Sequence, residues 1–124
     1  MIGYLEKNRG FSIFFTILIA TEIFVVSSIP GGDASIGLFD LSSVYHLLVF
    51  FLFAFFLILS ITKNKKINIK YIFLAMLFSI VYAILDEVHQ LFVPSRFPSI
   101  ADILVDMTGI FLSTITYLGY KRSQ

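Results

Sequence analysis

The sequence contains no cysteine, only three prolines, and little charge for its length of 124 residues. Without cysteine the chain can form no disulfide, thiolate nucleophile or thiolate-bound metal site. It also has no glycine-rich phosphate loop, no GxSxG nucleophile elbow and no paired-histidine zinc motif. No basic surface interleaved with aromatic residues points to nucleic acid, so we expect no nucleic-acid partner.

The chain instead consists mostly of hydrophobic residues. Hydrophobic residues make up 58% of it and the mean hydropathy is +0.93, whereas a soluble domain is about 45 to 50% apolar. Each membrane-spanning helix uses about 20 residues, which leaves no room for a sizeable soluble domain. We therefore expect one membrane domain over residues 1–124.

Four apolar runs are long enough to be membrane spans, at residues 11–29, 44–61, 71–89 and 100–120. The first run follows basic residues, as a signal peptide would, but Glu22 lies inside it and favours a retained span. The second run is so uniformly apolar that most of its circumference can face lipid. The sequence thus predicts an all-α, four-helix transmembrane bundle.

The basic residues predict its orientation. All but one of the nine Lys and Arg residues fall on one side of this bundle, at Lys7, Arg9, Lys63, Lys65, Lys66, Lys70, Lys121 and Arg122. Arg96 is alone on the other side. By the positive-inside rule both termini are cytoplasmic, in a multi-pass protein of the cytoplasmic membrane. Most of the acids fall at the opposite, extracytoplasmic face, in the loop with Asp33 and Asp40 and at 86–106, so we expect a polar pocket that opens there.

Polar residues recur at helical spacing on the last two spans. On the fourth span the pattern is Asp102, Asp106, Gly109, Ser113, and on the third it is Ser79, Tyr82, Asp86 and then His89 or Gln90. Because lipid penalises such faces, we expect the two to face each other, with Gly109 allowing close approach of the two backbones. Glu22 and His46 would supply the opposite wall of the pocket.

Each polar residue also has a plainer interpretation. The carboxylates of Asp86, Asp102 and Asp106 could cap helices or pair with Arg96, or they could be acid/base groups or hard-cation ligands. Glu87 could simply be solvated. A mid-span carboxylate such as Glu22 needs a partner or water.

His46 and Arg96 have the same two kinds of interpretation. His46 could be an interfacial polar residue or a group that moves protons. Arg96 could neutralise nearby acids or clamp a phosphate or carboxylate with its planar guanidinium. We assign no metal ligands, since spacing alone does not establish a site of His46 with carboxylates.

One segment carries a family resemblance. The pattern D-E-x-x-Q-x-F-x-P-x-R-x-x-S-x-x-D, preceded by YHLLVFFLFAFF, falls on Asp86, Glu87, Gln90, Phe92, Pro94, Arg96, Ser99 and Asp102 and is followed by Gly109. Over residues 27–118 the chain resembles the VanZ-like family of small bacterial and archaeal membrane proteins, named for a protein associated with teicoplanin resistance. It departs from the family at Ser42-Ser43, where an Asp-Lys pair is usual, and at Asp106, where Asn is usual. The resemblance implies a four-helix protein of the cell envelope and no particular reaction.

The leading hypothesis is action at the outer leaflet on an anionic lipid head group or a lipid-linked envelope precursor, with no cofactor named by the sequence. The candidate catalytic residues are Asp86, His46, Asp102, Asp106 and Glu22. The candidate substrate-binding residues are Arg96, Glu87, Gln90, Tyr82 and Ser99. Three alternatives stay open: a protein that binds or shields a head group or glycopeptide without turnover, a subunit of an ion- or proton-coupled transporter, and a purely structural protein. Membrane lipids are the expected partners, and homo-oligomerisation also stays open.

Overall fold

A computed structural model describes residues 2–31, 41–62 and 67–123, and all regular structure in these residues is helical. The helices are α1 (Ile2–Lys7), α2 (Arg9–Ser27), α3 (Leu41–Ile61), α4 (Ile69–Gln90) and α5 (Ile100–Arg122). The expected loop with Asp33 and Asp40, and the basic loop with Lys63, Lys65 and Lys66, lie outside the described residues. The all-helical prediction is confirmed.

The last four helices are each long and apolar enough to cross a membrane, which confirms four candidate spans and suggests a multi-pass membrane protein. The short helix α1 was not predicted. Its Glu6 accepts hydrogen bonds from Lys121 Nζ at 2.7 Å and from the Tyr117 hydroxyl at 3.0 Å, both on α5. Helix α1 therefore ties the two ends of the chain together at one end of the bundle.

Helix α3 lies at the centre of the bundle and not at its lipid-facing edge. It packs against α2, α4 and α5, and its Phe50, Ile58 and Leu59 are fully buried. The sequence allowed most of this helix to face lipid, but the helix is packed among three others. A helix that is apolar all round can be surrounded by other helices as readily as by lipid, and its composition does not distinguish the two.

Gly109 does allow two helices to approach closely, but the partner differs from the one predicted. A Cβ atom at this position would overlap the carbonyl oxygen of Leu47 and lie 3.1 Å from the amide nitrogen of Phe51, both on α3. Helix α5 packs more extensively against α3 than against α4. Gly109 of the polar stripe of α5 therefore lies against the second span and not against the third span as predicted, whereas Asp102 of the same stripe lies near both His46 on the second span and Glu87 on the third.

Candidate functional site

The predicted site residues lie mainly at one end of the bundle, which we call the cavity end: the end at which α2 and α4 finish and α3 and α5 begin. The connection from α4 to α5, residues 91–99, crosses this end. Its turn places Ser95 in the left-handed region at φ 59°, and the Gly31 amide donates to the Pro94 carbonyl at 3.3 Å. The connection is thereby fastened to the end of α2.

A buried histidine–aspartate pair joins α3 to α5. The Nδ1 atom of His46 lies 3.0 Å from Oδ1 of Asp106, and the two residues are only 6% and 0% exposed. Asp106 precedes Gly109 by about one helical turn. The close backbone approach at Gly109 is therefore what brings the Asp106 carboxylate within hydrogen-bonding distance of the imidazole.

The acids at the end of α4 are also buried. Glu87 is 3% exposed, and its Oε2 accepts the backbone N–H of Ser99 at 2.8 Å. This bond satisfies a donor at the start of α5 and fixes the α4–α5 connection against α4. Gln90 donates to Asp86 Oδ2 at 3.3 Å and, in a longer contact, to Glu87 Oε1 at 3.5 Å. The interpretation of Glu87 as a solvated residue is wrong.

These acids gather around the histidine. One ligand atom each from His46, Glu87 and Asp102 lie within 4.8 Å of one another. Asp86 and Asp102 are both within electrostatic range of Asp106. Four carboxylates from two helices and one imidazole from a third thus form a single group, which we call the acidic cluster: His46, Asp86, Glu87, Asp102 and Asp106.

Arg96 is engaged in a way that neither interpretation of the sequence anticipated. Its Nε donates to the Ile29 carbonyl and its Nη2 to the Val26 carbonyl, both at 3.0 Å. These acceptors lie at the carboxyl end of α2, where a helix favours a cation. Among the residues that the structure describes, Arg96 forms no ion pair with an acid.

A cavity of about 340 Å³ has both Arg96 and His46, one member of the acidic cluster, in its wall. It is lined by Val26, Ser27, Leu41, Ser42, Tyr45, His46 and Arg96. Of the predicted site residues, only His46 and Arg96 are in this lining. The sequence reasoning missed Ser27, Ser42 and Tyr45, although Ser42 precedes His46 by four residues and so shares its helical face.

Glu22 and Tyr82 lie apart from the His46–Asp106 pair. Glu22 is exposed and accepts a hydrogen bond from the Tyr45 hydroxyl at 3.1 Å, while the Tyr82 hydroxyl donates to the Ala20 carbonyl at 2.7 Å. Both side chains link α2 to a neighbouring helix. Glu22 is connected to the cavity through Tyr45, which is also within electrostatic range of Asp86 and Arg96.

Comparison with known proteins identifies a family. The sequence profile of a protein family described as VanZ/LLP1 matches residues 7–121, nearly the whole chain. Searches of curated proteins and of solved structures gave no significant match. The matched range includes α2, α3, α4, all of α5 except its last residue, and every residue of the acidic cluster.

Proposed function

The chain belongs to the VanZ/LLP1 family, and on that premise we propose that it binds the anionic head group of a lipid or lipid-linked envelope precursor at the outer leaflet and acts on it. The observation that carries the proposal is the shared cavity: the guanidinium of Arg96 and the imidazole of His46 line the same 340 Å³ space. Arg96 is the cation and His46 the reactive side chain. The proposed location is the cytoplasmic membrane.

The charge distribution supports the proposed orientation. The described basic residues other than Arg96 are at the end of the bundle opposite the cavity, at Lys7, Arg9, Lys70, Lys121 and Arg122. Because basic residues are enriched on the cytoplasmic side of membrane proteins, this distribution supports a cavity end that faces outward. An outward cavity would be open to outer-leaflet lipids and to envelope precursors.

Arg96 is suited to an anion. The two carbonyl bonds use two of the five N–H donors of the guanidinium and hold its plane at the cavity wall. A phosphate or carboxylate can accept paired bonds from the remaining donors, which are charge-assisted and therefore strong. The cavity volume lies within the range of about 300 to 1,000 Å³ that is usual for small-ligand sites.

The surroundings of the cavity suit a lipid more than a free anion. Leu41, which lines the cavity, is 86% exposed, and Phe92, Phe97 and Ile100 at the same end are also highly exposed. Apolar side chains around a cavity that Arg96 and His46 line can contact acyl chains while the head group lies inside. This arrangement supports a ligand that is anionic at one end and apolar at the other.

His46 is the residue by which we propose that the protein acts on the head group. Asp106 holds its Nδ1 at 3.0 Å, which fixes the ring orientation. Proton transfer by His46 with Asp86, Asp102 or Asp106 stays a prediction, as does the link to teicoplanin resistance. Glycopeptide tolerance of cells with and without the protein would test that link.

The test is lipid retention by the purified protein in nanodiscs of mixed neutral and anionic lipid. Native mass spectrometry would count the anionic lipids bound to each chain. We expect Arg96→Gln to weaken retention about tenfold or more, because one charge-assisted contact contributes more than about 1.4 kcal/mol.

Arg9→Gln is the matched control for this test. Arg9 also donates to a backbone carbonyl, that of Ser60 at 2.8 Å, but at the opposite end of the bundle. The Arg9→Gln variant should retain as much lipid as the wild type. Equal loss of lipid retention in Arg96→Gln and Arg9→Gln, or loss in neither variant, would reject the proposal. Retained ligand that is recovered chemically unchanged after long incubation would favour binding without turnover.

A further inference from the structure

We propose that His46, Glu87 and Asp102 form a binding site for a divalent transition-metal cation at the cavity end. Their ligand atoms lie within 4.8 Å of one another although they come from three different helices. The inference deepens the proposed function. The role of the bound cation rests on that function, whereas the prediction that a cation binds rests on the geometry of the three ligand atoms alone.

The donor set matches known metal chemistry. Zinc is bound by histidine nitrogen and carboxylate oxygen, and sites with three protein ligands keep a position open for water or substrate. Manganese also accepts carboxylate ligands. On a tetrahedral ion with bonds of about 2.1 Å, ligand atoms are about 3.4 Å apart, so the distances between the three groups must shorten by up to about 1.4 Å. Asp102, which is only partly buried in the first turn of α5, is the residue best able to move.

Two of the candidate ligands are oriented by hydrogen bonds to their non-coordinating atoms, as metal ligands usually are. Asp106 holds Nδ1 of His46, so Nε2 is the ring nitrogen that remains to coordinate. A carboxylate behind a coordinating histidine is a recurrent arrangement that fixes the tautomer and raises the basicity of the ligand. The Ser99 N–H likewise donates to Glu87 Oε2, so we assign Oε1, whose contact with Gln90 is long, as the coordinating oxygen.

The charge of the acidic cluster requires compensation. Its four carboxylates lie close together, yet in the described ranges its only ion pair is the one between His46 and Asp106. The second oxygen of Asp106 is buried and has no hydrogen-bond partner among the described residues. Buried like charges must take up protons or a cation, and a buried anionic oxygen without a partner is costly. A divalent cation would offset this charge where the ligands converge.

A cation here would also reconcile an acidic cluster with an anionic ligand. Four carboxylates beside the cavity would repel a head group that Arg96 attracts. Because His46 both lines the cavity and belongs to the candidate ligand set, a cation on it could present its open position to a head-group oxygen. Lewis-acid polarisation of that oxygen is the chemistry that such an ion supplies.

The test measures metal binding by the detergent-purified protein without added lipid. After treatment with a chelator, the protein would be titrated with Zn²⁺ and with Mn²⁺, and bound metal counted by elemental analysis. We expect about one ion per chain, and at least a tenfold weaker affinity in Glu87→Gln and in Asp102→Asn. Substituted Co²⁺ should give visible absorption bands that change in His46→Gln.

Glu6→Gln is the control, because Glu6 is a partly buried carboxylate at the opposite end that bonds Lys121 and Tyr117. It should bind metal as the wild type does. Circular dichroism and size-exclusion profiles would show that each variant is folded. No stoichiometric metal in the folded wild type, or unchanged affinity in Asp102→Asn, would overturn the inference.

The lipid assay separates this inference from the proposed function. Head-group retention that depends on Arg96 but persists in the presence of chelator would leave the proposed function standing and reject the cation. Stoichiometric metal binding, together with lipid retention that does not change in Arg96→Gln, would support the cation site and reject the proposed function.

Discussion

At the scale of single residues, the His46–Asp106 contact is the pair on which the site depends. Both side chains are buried where α3 and α5 meet. Removing one member of a buried hydrogen-bonded pair leaves the other without a partner, which costs about 1 to 3 kcal/mol. The contact therefore contributes both to the stability of the bundle and to the orientation of the imidazole.

This dependence predicts different outcomes for two substitutions of similar size. Asp106→Asn keeps an oxygen that can accept from His46 Nδ1, so we expect the variant to fold with little loss of stability. Asp106→Leu removes the acceptor and should lower the free energy of unfolding by about 1 to 3 kcal/mol. Thermal unfolding in detergent, followed by circular dichroism, would measure both. An Asn variant as unstable as the Leu variant would contradict the assigned role of this hydrogen bond.

The residue types of the site were readable from the sequence, but their partners were not. His46, Asp86, Asp102 and Asp106 stood out because charged or polar groups among apolar residues are costly in a membrane. The bonds of Arg96 to the Val26 and Ile29 carbonyls could not be foreseen. Backbone acceptors at a helix end cannot be predicted from residue type, since every residue has a carbonyl.

At the scale of elements, Gly109 determines how closely α5 approaches α3. A side chain there would meet the backbone of Leu47 and Phe51 and not a flexible side chain, so the helices would have to separate. Because Asp106 lies one turn away, that separation would also lengthen its contact with His46. Packing and site geometry thus depend on the same glycine.

Two glycine substitutions in one helix test this dependence. Gly109→Ala should destabilise the bundle by about 1 to 3 kcal/mol through overpacking and weaken any ligand binding that needs His46. Gly119→Ala is the matched control, since no heavy atom lies within 4 Å of its added Cβ, and it should be neutral or stabilising by up to about 1 kcal/mol. The unfolding midpoints of the two variants would decide. Equal midpoints would show that the α3–α5 contact tolerates a methyl group.

The lengths of the apolar runs predicted four long helices, but not their neighbours. Hydropathy indicates whether a helix can lie in a membrane. It does not indicate which helix lies at the centre of the bundle. The uniform apolar surface of α3 is compatible with both positions, and the structure puts it in the middle. The same limit explains why Gly109 was paired with α4, although it packs against α3.

At the scale of the whole molecule, orientation decides which lipids the site can meet. Within the described part of the chain, the cavity end has Arg96 as its only Lys or Arg residue, while the other basic residues are at the opposite end. The proposal therefore requires that the connection 91–99 face outward and that the carboxyl terminus face the cytoplasm. If the orientation were reversed, the site would face the inner leaflet.

The absence of native cysteine makes the orientation directly measurable. Ser95 and Ser123 are both exposed and lie at opposite ends of the bundle. We expect Ser95→Cys to react with a membrane-impermeant maleimide on intact cells, and Ser123→Cys to react only after permeabilisation. The reverse pattern would contradict the proposed orientation and move the site to the inner leaflet.

The central claim is that an anionic head group lies between Arg96 and His46. Its most direct test is the number of anionic lipids retained per chain by Arg96→Gln relative to Arg9→Gln in nanodiscs of one lipid mixture. The account predicts a loss of about tenfold or more in the first variant and wild-type retention in the second. Equal retention by the two variants would contradict it.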